Sequence, residues 1–191
     1  MAKRVTHLAE ALKMGKAVFV EKPLCLKREE LDAIIEDYQS AINPFLMVGF
    51  NRRFAPLTQT LNELLKSRSD PKSFIYTVNA GYIPPDHWTQ LPEIGGGRLL
   101  GEACHFIDLI RFLAASPIEN ATVQYAQTSG TGSMDTFSIQ LTLADGSLGT
   151  VHYFANGSKN FPKERLDVFC GGSVLQLDNF RTLQGYGWQG F

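Results

Sequence analysis

The apolar run Ala17-Val18-Phe19-Val20 ends at Glu21-Lys22-Pro23, and this junction constrains the fold more than any other stretch of the chain. A short apolar run after a glycine reads as a buried strand. Proline has no N–H to give a central ladder, so the strand must stop and the chain must turn. The Lys22-Pro23 bond is a candidate for the cis isomer, which is nearly confined to X-Pro bonds. Parallel α/β sheets bind ligands outside the carboxyl ends of their strands. A lysine placed there delivers a cation to a ligand-binding edge. The alternative is a solvated lysine at a strand end, and the junction alone does not decide between them.

Helices and strands alternate around this junction. Leu8, Ala11 and Leu12 predict a helix ended by Gly15. Residues 27–41 predict a second, with Leu31, Ile34 and Ile35 at helical spacing. Asn43-Pro44 breaks it, and residues 45–48 predict a short buried strand. This wiring is parallel α/β and reads as the C-terminal remnant of a Rossmann-type domain over 1–54. Past Pro56 the pattern changes. A helix is predicted at 56–67 with Leu57, Leu61, Leu64 and Leu65, a strand at 72–82, a long loop to Gly97 and a helix at 98–113. Strands follow near 119–128, 134–143, 148–156, 165–171 and 173–178. Ala144-Asp145-Gly146-Ser147 supplies a hairpin turn, because Asp-Gly tolerates positive φ. Residues 185–191 read as a loose tail. The expected fold class is α+β over 55–191, an open, largely antiparallel sheet with helices on one face.

Bulk properties narrow the function classes. The net charge is −1 and the 18 basic residues are scattered. Arg52-Arg53 is too short to track a phosphate backbone, so nucleic acid is not an expected partner. No apolar run is long enough to span a bilayer. The N-terminal stretch lacks the apolar core of a secretory signal. The three cysteines Cys25, Cys104 and Cys170 show no CxxC spacing, so reduced thiols in a cytoplasmic protein are expected. His7, His87, His105 and His152 fall in no short metal-ligand pattern, and no metal is expected.

Three stretches carry a resemblance: ALKMGKAVFVEKPL at 11–24, GFNRRFAP at 49–56 and GGGRLLGEACHFIDLIRFL at 95–113. In that order they resemble the Gfo/Idh/MocA family of nicotinamide-dependent oxidoreductases, over about residues 7–181. NAGYIPPDHWTQ at 79–90 is similar to a branch in which this module is fused to a zinc-type alcohol dehydrogenase domain. The family opens with a glycine-rich turn that holds the cofactor pyrophosphate. Gly95-Gly96-Gly97 follows a proline-rich polar loop and is not that turn, so the chain reads as a fragment, truncated at both ends.

The resemblance implies NAD or NADP as cofactor and a catalytic histidine at His105. It places Lys22 beside the nicotinamide and the reacting hydroxyl, with Glu21, Pro23 and Arg53 on the cofactor side. Asn51 and Arg52 are candidates to reach the substrate, with a structural salt bridge as the alternative. His87 and Trp88 are further substrate candidates: an exposed tryptophan can stack on a sugar face, and a packed loop anchor is the other reading. On a regular helix Gly101, Glu102, His105 and Asp108 share one edge. Histidine exchanges protons near neutral pH, though spacing alone also suits a core histidine. The family usually has aspartate where this chain has Gly101. Glu102 lies one residue later, rotated by about 100°, and is the candidate substitute. Cys104 points away from His105 by the same rotation.

Two functions follow. The first is an NAD(P)-dependent oxidoreductase passing a hydride between nicotinamide and a sugar, cyclitol or nucleotide-sugar substrate, with net glycoside hydrolysis as a variant. This fragment would supply the substrate pocket and be inactive alone. The alternative is a non-catalytic dimerisation or interaction module. A homo-oligomer is expected through the sheet, whose alternating Phe137, Ile139, Leu141 and Leu143 need cover on one face.

Overall fold

A computed structural model describes residues 2–126 and 135–189. Positions 127, 128 and 134 of the expected strands, and 190–191 of the expected tail, lie outside the described residues. The chain divides into two compact units, Met1–Phe50 with Asp86–Cys104, and Asn51–Pro85 with His105–Phe191. The expected single division at 54/55 takes no account of 86–104. This loop groups with the first unit because glycines let its backbone close on the turn after the first strand.

In the first unit, α1 (Ala2–Lys13) precedes β1 (Val18–Val20), and α2 (Arg28–Ser40) precedes β2 (Leu46–Val48). Gly15 has φ +66 and donates to the Leu12 carbonyl, ending α1 as expected of a glycine C-cap. At the start of α2, Glu30 reaches back to accept from the backbone N–H groups of Leu26 and Lys27, which the helix itself leaves unpaired. β1 and β2 pair in parallel, Val18 opposite Leu46 and Val20 opposite Val48. Leu8, Leu12, Val20 and Ile34 form the small core. Two expectations are corrected here. β2 is half-buried rather than buried, and Ile35 is exposed. A two-stranded sheet covered by two helices has room for few inward positions.

The second unit holds α3 (Pro56–Lys66), β3 (Ser73–Asn79), all of α4 (Cys104–Ala114) after its first residue, and β4 (Ile118–Tyr125). The strands β5 (Phe137–Leu143), β6 (Leu148–Phe154), β7 (Glu164–Cys170), β8 (Ser173–Asp178) and β9 (Thr182–Tyr186) complete it. The seven strands run in the order β4-β5-β6-β3-β7-β8-β9. Every neighbouring pair is antiparallel except β3–β6. The Asp145-Gly146 hairpin forms between β5 and β6, with Gly146 at φ +83.

Strict alternation sorts the strands into an inner and an outer face. Tyr76, Phe137 and Tyr153 point inward, with the last two rings stacked 4.9 Å apart. Phe106 of α4 meets Tyr76 edge-on at 4.9 Å. Ile110 closes on Gly149, where a Cβ would sit 3.0 Å from its methyl and would push it back by a few tenths of an ångström.

Four expectations change. Phe137, Ile139, Leu141 and Leu143 are buried inward positions rather than an uncovered surface. Ile75, Leu148, Phe154 and Phe169 are the exposed apolar residues of the outer alternation on β3, β6 and β7. β3 is shorter than 72–82, because Gly81 turns the chain at φ +71. The segment at 185–189 is no loose tail: β9 includes Gly185 and Tyr186, and Trp188 is buried. Finally, the helix at 98–113 opens with a π-helical turn, Leu99–Ala103, so a uniform 3.6-residue face does not hold over Gly101 and Glu102.

Candidate active site

Lys22 lies two residues past the end of β1, and its bond to Pro23 is cis. Its ammonium donates to the carbonyl of Gly101 at 2.8 Å. That carbonyl belongs to the π-helical turn, a geometry found mostly as a local bulge within α-helices and frequently at functional sites. Backbone closeness makes this possible. A Cβ on Gly101 would lie 2.6 Å from the Gly95 carbonyl oxygen, and one on Gly96 would lie 2.5 Å from Leu26. Position 101 therefore has no room for the aspartate that the resemblance leads one to expect. The oxygen facing Lys22 is a main-chain carbonyl instead.

Glu102 does not face outward as a spare carboxylate. It accepts from Arg98 at 2.9 Å, and the Arg98 side chain is only 2% exposed. Glu21 is exposed, its carboxylate lying over Gly49, and Pro23 is half-buried. His87 and Trp88 form a short turn: His87 Nδ1 meets Thr89 Oγ1 at 2.8 Å and caps the 3-10 turn Trp88–Gln90. The Trp88 ring is exposed, 5.8 Å from the His87 ring.

In the second unit a 3-10 turn, Asn51–Phe54, presents two arginines. Arg52 donates to Glu164 through Nε at 2.9 Å and Nη2 at 2.6 Å. Tyr76 donates its hydroxyl to the same carboxylate at 2.8 Å. The Arg52 guanidinium also lies over the Phe106 ring, 4.9 Å from its centroid. Burial would push the Glu164 carboxyl up, but hydrogen bonds and charge from Arg52, with the Tyr76 hydroxyl, hold it below its ordinary value. Burial and the adjacent Glu164 charge push Tyr76 well above its own. Arg53 makes a two-pronged pair with Asp108, 2.7 Å from Nε to Oδ2, and lies over Phe112.

His105 is buried at the head of α4, its ring 6.5 Å from that of Phe106. The two arginines therefore grip α4 at Phe106, Asp108 and Phe112, on the helix that carries His105. Asn51 lines a hollow of about 270 Å³ with Arg52, Ala55, Glu164 and Phe180. Sequence reasoning anticipated Arg52 and Arg53 but missed Glu164 and Tyr76. No local signal pairs residues 112 positions apart. The one available hint was a glutamate opening the otherwise apolar alternation of β7.

Residues 70–173 match the GFO/IDH/MocA C-terminal domain. The chain is 26% identical to a myo-inositol 2-dehydrogenase of Thermotoga maritima, covering 88% of this chain and 51% of that protein. It is 31% identical to inositol 2-dehydrogenase 2 of Saccharopolyspora erythraea, covering 82% and 47%. The chain thus spans about half the length of these curated relatives. Among solved structures, a levoglucosan dehydrogenase in complex with NADH and levoglucosan superposes with a TM-score of 0.82 at 20% identity, covering 95% of this chain and 53% of that one. At that identity the likeness concerns the fold.

Proposed function

The chain belongs to the Gfo/Idh/MocA family of oxidoreductases, and from that premise we propose that it supplies the substrate pocket of a nicotinamide-dependent dehydrogenase for a sugar- or cyclitol-like alcohol. The observation that carries this reading is the Lys22 ammonium held on the Gly101 carbonyl at the carboxyl end of a parallel strand. Such an edge is where α/β sheets bind nucleotides, so Glu21, Lys22 and Pro23 suit the nicotinamide end of NAD or NADP. The nicotinamide, when bound, accepts or returns the hydride.

The chain's own residues handle oxygen and proton. Lysine carries three donors. Gly101 takes one, and the others stabilise negative charge developing on the substrate oxygen. His105 takes the hydroxyl proton as the alcohol is oxidised and returns it in the reverse direction. Glu102, tied to Arg98, holds the shape of the π-helical turn. Arg52 and Arg53 are positioning residues that fix α4, and Asn51 and the exposed Trp88 ring remain available to polyol hydroxyls and a sugar face.

In the full-length protein, Lys22→Ala should lower dehydrogenation of myo-inositol by about 10²–10³ while NAD affinity stays within error by titration. Wild-type turnover in that variant would remove Lys22 from the chemistry.

A second reading rests on a separate observation, the exposed Ile75, Leu148 and Phe169. They make the outer face of the sheet a surface for self-association into a homo-oligomer. A double Ile75→Lys, Phe169→Lys variant should sediment as a monomer where the parent does not. A parent that is monomeric at micromolar concentration would end this reading and leave the enzymatic one untouched.

A further inference from the structure

We propose that the second unit contains a binding site for a small phosphate ester, lying wholly within that unit and including neither Lys22 nor His105. The site is a cavity of about 630 Å³ at the C-terminal ends of α3 and α4. Small-molecule sites occupy roughly 300–1,000 Å³. Five cationic side chains line it, Arg53, Lys66, Arg68, Lys72 and Arg111, and no carboxylate does.

Two of the five are matched. Arg53 pairs with Asp108, and Lys66 with Glu63. The other three, Arg68, Lys72 and Arg111, form no ion pair among the described residues. Arg68 lies over the Trp188 ring and donates to Ser173 at 3.4 Å. Among the described residues the Lys72 ammonium donates only to the Asp70 carbonyl, at 3.3 Å. The Asp70 carboxylate lies beside Gly171 with Arg68.

Lys66 and Arg111 sit in the last turns of their helices, where cations ordinarily offset the helix dipole. Lys72 has no such explanation. It lies outside any helix and is 7% exposed. Its backbone is locked on both sides, donating to Ser147 Oγ and accepting from Leu148 N–H, each at 2.9 Å. Lys72 lines the cavity, and among the described residues its ammonium meets a single carbonyl. An anion from solution completes the set.

The chemistry of the lining selects the anion. Arginine forks match phosphate oxygens two at a time, and lysine adds a point charge. Leu65, Phe112 and Leu113 give the same cavity an apolar wall, which suits a ligand with a carbon body rather than bare phosphate. The inference does not rest on the dehydrogenase reading.

The test is calorimetric titration of the 191-residue chain with phenyl phosphate and, separately, inorganic phosphate. Phenyl phosphate should bind saturably at one site per chain, more tightly than inorganic phosphate. Lys72→Met and Arg111→Gln should each weaken it about tenfold or more, the worth of a charge-assisted hydrogen bond. Lys159→Gln, on another basic surface of the same unit, should leave it unchanged. Absence of saturable binding overturns the proposal, and so does equal weakening by Lys159→Gln, which would mean diffuse attraction. Should Lys72→Met fail to fold, the exposed Arg111 decides: full affinity in Arg111→Gln overturns the site.

Discussion

The two units fix their important cations by opposite means. In the first, Lys22 is held by a main-chain oxygen that reaches it only because Gly95, Gly96 and Gly101 let the loop close. In the second, Arg52 and Arg53 are held by buried side-chain carboxylates drawn from β7 and α4. Their apolar packing differs in the same sense. The core cluster of the first unit holds Leu8, Leu12, Val20 and Ile34 while Met14, Phe19, Ile42 and Phe45 stay exposed, whereas the second buries α4 against the sheet. The difference teaches where each unit is vulnerable. Backbone shape governs the first, and a polar network inside a dense core governs the second.

The largest expected effect tests the second half of this contrast. Glu164→Ala leaves Arg52 and the Tyr76 hydroxyl without their shared acceptor in a buried setting. Removing one partner of a buried ion pair costs about 3–5 kcal/mol. Chemical denaturation followed by hydrogen exchange should place the whole loss in the strands and helices of the second unit. A loss below about 1 kcal/mol would show that water substitutes for the carboxylate and that the network is not what holds Arg52.

A smaller effect tests the first half. Gly101→Ala puts a methyl where the Gly95 carbonyl oxygen stands 2.6 Å away. The loop must shift, at a cost of about 1–3 kcal/mol, and the Lys22 contact goes with it. Exchange protection should fall in residues 86–104 and leave β3 to β9 unchanged. Turnover of the full-length protein should fall along with it, because Lys22 loses its anchor. An unchanged loop with wild-type turnover would break the link between backbone shape and Lys22.

The same contrast explains what the sequence made legible. Lys22-Pro23, the Gly95-Gly96-Gly97 run, the Asp145-Gly146 turn and the alternation of β5 and β6 are local signals, and each marks a feature that forms. The pairs Arg52–Glu164 and Arg53–Asp108 join residues 112 and 55 positions apart, and nothing in residue type says which carboxylate an arginine will find. β9 was missed for another reason. Asn179 and Phe180 take φ of 48 and 56 to turn the chain. Asparagine tolerates that region, but phenylalanine gives no turn signal. The π-helical turn was missed because the periodicity of 98–113 fits a regular helix, and only the approach of Gly95 to Gly101 distinguishes the two.

Acid should give the smallest effect, and it acts on both units, because the backbone N–H groups of Leu26 and Lys27 also hold Glu30 of the first unit below its ordinary value. Glu164 titrates below its ordinary value of 4.5 when folded, the pull of Arg52 and Tyr76 outweighing burial. A carboxyl whose folded pKa is depressed contributes stability that is complete above its unfolded value and lost as pH falls through the folded one. The second unit should therefore melt at a constant temperature from pH 7 down to about 4.5 and lose stability below it. Glu164→Gln should flatten part of that fall, because an amide has no charge to lose. It should not abolish it. Asp145 is also held low, hydrogen bonds from Ser147 outweighing burial, so it loses stability over the same acid range. The loss assigned to Glu164 should be smaller than in Glu164→Ala, since a protonated carboxyl still offers Tyr76 an acceptor oxygen. A Glu164→Gln variant whose melting temperature falls with acid as steeply as the parent's would mean that Arg52 is held by packing on Phe106 rather than by the Glu164 charge.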